Sequence, residues 1–260
     1  MLPITLLIAY NNSTIVALHR YNLNNPYKSR NWFASSFSLL QLQNCKMVIK
    51  VAIIGASGKA GQAILKESLS RGLQVTAIVR NKSKITQDVG IIEKEVQDLT
   101  QDDLKQFDVI ANAFGTPPGQ EQNHVTVGRF LIDLMKGLSN TRLIVVGGAA
   151  SLYVDDELKT RLVDTEKFPE QYLALATAQG QNLIDLRASS DVNWTFVSPA
   201  SYFNPNGART GKYQTTKDRL IFNSQGKSYV SYADFAVAFV DEIENPQHVN
   251  SRFGVISEEN

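Results

Sequence analysis

The sequence predicts a doubly wound, mostly parallel α/β sheet from Met47 onward, with a small capping region toward the C-terminus. Three observations carry this expectation. Apolar, β-branched runs of strand length alternate with helix-length segments between Lys50 and Ser198. Several of these runs are almost continuously apolar, as strands covered by helices on both faces must be. A glycine-rich turn joins the first run to the first helix. Alternation in this order implies parallel strands joined by right-handed crossovers.

The first strand is expected over 50–55 and the first helix over 59–71, with Gly55-Ala-Ser-Gly58-Lys-Ala-Gly61 between them. Gly55 permits the turn, Gly58 lets the backbone approach a pyrophosphate, and Gly61 lets the helix lie close to the sheet. This is a Rossmann-type phosphate cradle: anionic phosphates rest on the helix N-terminus, against Lys59 and Ala60 and beside the Ser57 hydroxyl. The second strand, 74–80, ends on Arg80, nineteen residues after Gly61. An acid in this place accepts from the ribose 2′-OH of NAD, whereas a guanidinium suits a 2′-phosphate. With Asn81, Lys82 and Lys84 following, the predicted cofactor is NADP(H) in preference to NAD(H).

The third strand is expected over 91–96, followed by Asp98-Leu99 and a short helix over 100–106 that opens Thr100-Gln-Asp-Asp103, in the manner of a capping box. The fourth, 108–113, runs into Asn112-Ala113-Phe114-Gly115, and a helix follows over 121–138. The fifth, 142–147, runs into Gly147-Gly-Ala-Ala-Ser151, with a helix over 169–188. The sixth, 193–198, ends in Ser198-Pro-Ala200. Small residues at four strand ends leave room for a ligand across the carboxyl edge of the sheet.

Together these segments resemble the atypical short-chain dehydrogenases, in the branch of NmrA-like, biliverdin-reductase-B-like and proposed NADH-flavin reductase proteins. The likeness covers nearly all of 50–256. It rests on the Gly55 turn, Arg80, Asp98-Leu99, Asn112-Ala-Phe-Gly115, Arg142-Leu-Ile-Val-Val-Gly-Gly148, Trp194-Thr-Phe-Val-Ser-Pro-Ala200, Arg209-Thr-Gly-Lys-Tyr213 and Ser231-Tyr-Ala-Asp234. The resemblance implies that Asp98 contacts the adenine and that Ala113, Phe114 and Gly115 flank the dinucleotide. It also implies a small hairpin over the active site after Arg209 and a C-terminal helix from Ser231.

One departure bears on chemistry. Conventional short-chain dehydrogenases pair a Tyr with a Lys four residues later, whereas Tyr172-Leu-Ala-Leu-Ala176 has Ala at that place. Tyr172 is therefore expected to be a packing residue, and alcohol–ketone interconversion lacks its acid. Hydride delivery to a flavin asks the protein mainly to orient two planar rings. The expected activity is thus NADPH-dependent reduction of a small planar acceptor, with flavin as a candidate substrate. The alternatives are an NmrA-like NADP-binding redox sensor and a sugar-nucleotide epimerase or dehydratase, although the latter would be expected to carry the Tyr/Lys pair and a larger substrate domain.

Candidate catalytic groups are Ser151, beyond the fifth strand, and His124, near the start of a helix. Tyr202 and Phe203 are candidate walls for a flat substrate. His248 is assigned a local structural role. His124 and His248 share no ligand spacing with acids, so no metal is expected, and no G-x-S-x-G elbow is present. A formal net charge of +1 gives no reason to expect nucleic acid or an anionic membrane as partner. The single cysteine, Cys45, excludes an internal disulfide and fits a reducing, cytoplasmic setting. No apolar run reaches the roughly 18–20 residues of a membrane span. Either a monomer or a homodimer is compatible with the sequence. Residues 1–46 contain no Asp or Glu and many Asn, and they read as a leader: a targeting segment or a start placed too early, ahead of a dinucleotide-binding domain over 47–260.

Overall fold

The computed structural model describes residues 48–259; the proposed leader, Met47 and Asn260 lie outside the described residues. In chain order the elements are β1 (Lys50–Ile54), α1 (Lys59–Ser70), β2 (Gln74–Val79), β3 (Gly90–Glu93), α2 (Gln101–Leu104), β4 (Val109–Asn112), α3 (Asn123–Met135), β5 (Arg142–Val146), α4 (Leu173–Ala188) and β6 (Asn193–Ser198). They continue with β7 (Tyr202–Asn204), β8 (Gln214–Thr216), β9 (Tyr229–Ser231), α5 (Tyr232–Glu244) and β10 (Ser251–Ile256). The main sheet runs β3-β2-β1-β4-β5-β6-β10-β8, and only β8 is antiparallel to its neighbour. The doubly wound Rossmann-type architecture expected from the sequence is the one observed.

Period-two alternation along the strands divides the core into two layers. Val51, Ile53, Val75, Ala77 and Ala111 face a cluster that includes Ile64 and Leu65 of α1 and Phe235 and Phe239 of α5. Ala52, Ile54, Ile110, Leu143 and Phe196 face the opposite cluster, with Val127 and Leu131 of α3 and Leu183 and Leu186 of α4. Both faces of the central strands are thus dry, which is why their sequences read as continuous apolar runs. Thr100 caps α2 with the full reciprocal bonding of a capping box, Asp103 returning to the Thr100 N–H at 2.8 Å. The helix expected over 169–188 begins only at Leu173, because 170–172 form a single tight turn after Pro169. The third strand stops at Glu93, and Val96–Asp98 forms another such turn.

Beyond β6 the structure departs from the expected hairpin. β10 inserts between β6 and β8, while β7 pairs in parallel with β9 as a separate two-stranded sheet. Arg209–Tyr213 is fastened to the helices instead. The fully buried Asp234 accepts from the backbone N–H groups of Thr210 and Gly211 and from the Thr210 hydroxyl, each at 2.8 Å. A carboxylate so deeply buried is tolerable only with such donors. Arg209 reaches Glu67 of α1, and the Tyr213 hydroxyl donates to Asp241 of α5 at 2.6 Å. α5 begins where expected, with the Ser231 hydroxyl accepting from the Asp234 N–H. No helix among the described residues is long and apolar enough to cross a membrane.

Candidate functional site

The cradle is built as its glycines require. Gly55 takes φ +74°, and a Cβ there would stand 2.5 Å from the Ala113 carbonyl oxygen. A Cβ at Gly61 would stand 2.2 Å from the Gly55 oxygen, so α1 approaches β1 as closely as a glycine allows. Gly58 is the extended residue before α1; no side chain caps this N-terminus, and no acid lies in its first turn. Lys59, at the first helical position, is exposed, where the helix dipole disfavours a cation. A bound polyanion reverses that penalty. Open N–H groups, a small-residue turn and a cation beside it fit a dinucleotide pyrophosphate. Ser57 is exposed next to the turn, and Ala60 is half-buried.

Arg80 is exposed just past β2 and makes no ion pair among the described residues. Lys82, by contrast, is held by Glu93 at 3.4 Å, and its N–H and ammonium keep that carboxyl below the ordinary range. Asp98 is exposed, whereas the Leu99 side chain belongs to the core beneath it. At the end of β4 the Asn112 side-chain oxygen accepts from the Phe114 N–H at 3.1 Å and shapes the Ala113–Gly115 turn. Phe114 meets the His124 ring edge-on at 5.7 Å. Burial behind Phe114 lowers the pKa of His124, against the opposing charge of Glu121. The structure therefore links His124 to the crevice through Phe114.

Gly147 has a packing reason for being glycine: its Cβ would fall 2.0 Å from the Phe196 ring. Ser151 is engaged elsewhere, its hydroxyl accepting from Arg252 at 3.1 Å. Tyr172 is not the packing residue expected; it is 53% exposed at the start of α4, because the turn after Pro169 turns it outward. Ala176, at the position of the missing Lys, is buried. Of the two candidate walls, Phe203 packs 3.8 Å from Tyr232 and 4.8 Å from Phe235, whereas Tyr202 leaves its ring exposed. His248 stacks on Phe253 at 4.2 Å and lies 2.8 Å from Glu242, which also holds the buried Arg142. Sequence reading missed Arg252, which donates to Ser151, and Asp218, which pairs with Arg252; separations of 101 and 34 residues leave no local signal.

A parallel sheet with an uncapped glycine cradle and small residues at its carboxyl edge defines a nucleotide-binding α/β protein of the nicotinamide class. The chain belongs to the NAD(P)H-binding family, matched over residues 55–246. It is 56% identical over 211 residues to the uncharacterized protein YwnB of Bacillus subtilis, a match spanning 81% of this chain and 99% of that one. A candidate NADH-flavin reductase of Streptococcus pneumoniae shares 42% identity over 81% of this chain and all of its own, with a TM-score of 0.77. A candidate epimerase of Bacteroides thetaiotaomicron shares 34% identity over 82% of this chain and 99% of its own, with a TM-score of 0.74. The family resemblance drawn from the sequence holds.

Proposed function

We propose that this protein is an NADPH-dependent oxidoreductase that reduces a small planar acceptor such as a flavin. The observation that carries the reading is the uncapped α1 N-terminus, with its three glycines and Lys59, followed by the unpaired Arg80 at the end of β2. The Streptococcus relative supports the flavin class of acceptor; its description names NADH, and Arg80 is the reason for preferring NADPH here.

The nicotinamide, when bound, supplies the hydride chemistry. The chain's own residues bind and orient. Lys59, Ala60 and Gly61 offer N–H groups to the pyrophosphate, Arg80 faces the 2′-phosphate, and Asp98 serves the adenine. Ala113, Phe114 and Gly115 line one side of the crevice. Gly147 lies at the end of the next strand. Tyr202 presents an exposed ring two residues beyond Ala200, suited to stacking on a flat acceptor. Neither catalytic candidate is arranged as a strong acid: Ser151 is bonded to Arg252, and burial disfavours the charged form of His124. Orientation of two rings, rather than proton transfer to a carbonyl, is what this site supports.

The buried Ala176 in place of a Lys favours a second reading, a redox sensor that binds NADP(H) without turnover. The Bacteroides relative is described as an epimerase candidate, but the same missing pair argues against that chemistry here. Oxidation of NADPH and NADH by the full chain, with and without FMN or riboflavin, beside a binding titration, separates these readings. Flavin-dependent oxidation preferring NADPH is expected. Tight binding with no turnover on either flavin would replace the enzyme with the sensor.

A further inference from the structure

Away from the cradle, a cluster of cationic side chains lies beside α4. Arg252 projects from β10 with its side chain fully buried. A buried guanidinium needs both counter-charge and bonded N–H groups. Its Nε donates to Asp218 at 2.9 Å and its Nη1 to Ser151. Asp218 is shared, however, because it also accepts from Arg187 at 2.9 Å. One carboxylate thus serves two guanidiniums.

A cleft of about 300 Å³ opens beside this cluster, between α4 and the segment 151–161. Lys159, Arg161 and Arg187 line it, and no acidic side chain does. Arg161 is answered by Asp164 outside the lining, at 2.7 Å. Of the acids in this segment, Asp155 is committed to the backbone N–H groups of Lys159 and Thr160, Asp156 pairs with Arg219, and Glu157 is exposed outside the lining. The Lys159 ammonium makes no ion pair among the described residues. The floor is apolar, formed by Leu183 and by Ile184, which is 50% exposed. Leu158, at the rim, holds φ +54°, a conformation that a branched apolar residue adopts at a cost. Such strain gathers at ligand clamps.

We infer that this cleft binds a small organic anion, a phosphate or carboxylate group carried on an apolar ring or short chain, at a site separate from the dinucleotide crevice. The anionic group lies against Lys159, Arg161 and Arg187, and the apolar part covers Leu183 and Ile184. Charge-assisted bonds in a partly closed cleft are the stronger kind.

Calorimetric titration of the full chain with phenyl phosphate tests this, in the presence and absence of NADPH. Saturable binding is expected, unaffected by NADPH, tighter than that of inorganic phosphate, and weakened about tenfold by Lys159→Ala, the loss of one charge-assisted bond. Ile184→Glu, a surface change that places a carboxylate on the floor, is expected to abolish it. The inference is overturned by absence of saturable binding, by displacement with NADPH, or by indifference to both substitutions. Equal affinity for inorganic phosphate would remove the apolar part of the ligand class. The readout is binding rather than turnover, so its failure leaves the proposed reduction untouched.

Discussion

Gly55 and Gly72 form a matched pair for separating backbone strain from steric demand. Both hold positive φ, +74° and +76°. A Cβ at Gly72 meets nothing within 4 Å, whereas at Gly55 it meets the Ala113 carbonyl oxygen at 2.5 Å and carbon at 2.9 Å. Gly72→Ala therefore carries only the left-handed penalty, about 1–2 kcal/mol. Gly55→Ala carries the same penalty and must also push β4 from β1, where the Ala113 N–H donates to the Ile54 oxygen at 3.0 Å. Overpacking against backbone adds roughly 1–3 kcal/mol, for a total of about 2–5 kcal/mol. Urea unfolding of the full chain reads both losses, and NADPH titration reads the site. Gly72→Ala is expected to bind NADPH as the parent does; Gly55→Ala, which displaces one wall of the crevice, is expected to lose at least tenfold. Equal losses of stability, or unchanged affinity in Gly55→Ala, would show that the approach of β4 to this turn is not what demands a glycine.

Arg80→Ala is expected to weaken NADPH by tenfold or more while leaving NADH nearly unchanged, with the difference shrinking at high salt; fluorescence titrations with both cofactors decide it, and equal losses would withdraw the 2′-phosphate from Arg80. Glu242→Gln leaves the buried Arg142 guanidinium without its counter-charge and replaces one of the two oxygens shared among Arg142, Gln247 and His248 with an amide NH2 group. A loss of about 3–5 kcal/mol is expected in urea unfolding, and a loss below 1 kcal/mol would contradict the pairing. The Arg209 guanidinium, with Arg71 beside it, holds the Glu67 carboxyl below its ordinary value of 4.5 despite burial. A depressed carboxylate stabilises the fold above its unfolded pKa, and that contribution disappears as pH falls through the folded value. Stability is thus expected to fall below about pH 4.5, and the fall should be shallower in Glu67→Gln; parallel pH profiles for the two proteins would refute it.

The central fold was legible because its strands are dry on both faces: β1, β2, β4, β5 and β6 begin and end within a residue or so of where their apolar runs predict. β10 was not, because Arg252 interrupts its apolar pattern and its counter-charge, Asp218, lies 34 residues earlier. β7, β8 and β9 are three residues each and owe their pairing to distant partners. The cradle could be read because each of its glycines answers a local demand. Tyr172 and Ser151 could not, since their surroundings are set by the turn after Pro169 and by Arg252. Gly147 shows the limit from another side: a glycine at a strand end can serve a neighbouring ring as readily as a ligand.

The place of β10 in the sheet has a consequence for biosynthesis. It is made after every strand it joins, yet it lies between β6 and β8. As the chain emerges in order, β6 presents a bare, apolar edge and β8 has no neighbour to join until Ser251–Ile256 arrives. Nascent chains of this protein therefore pass through a stage with an open sheet edge, the form most prone to pairing with another chain. Arrival of the last strand closes that window and, in the same step, buries the guanidinium of Arg252 against Asp218.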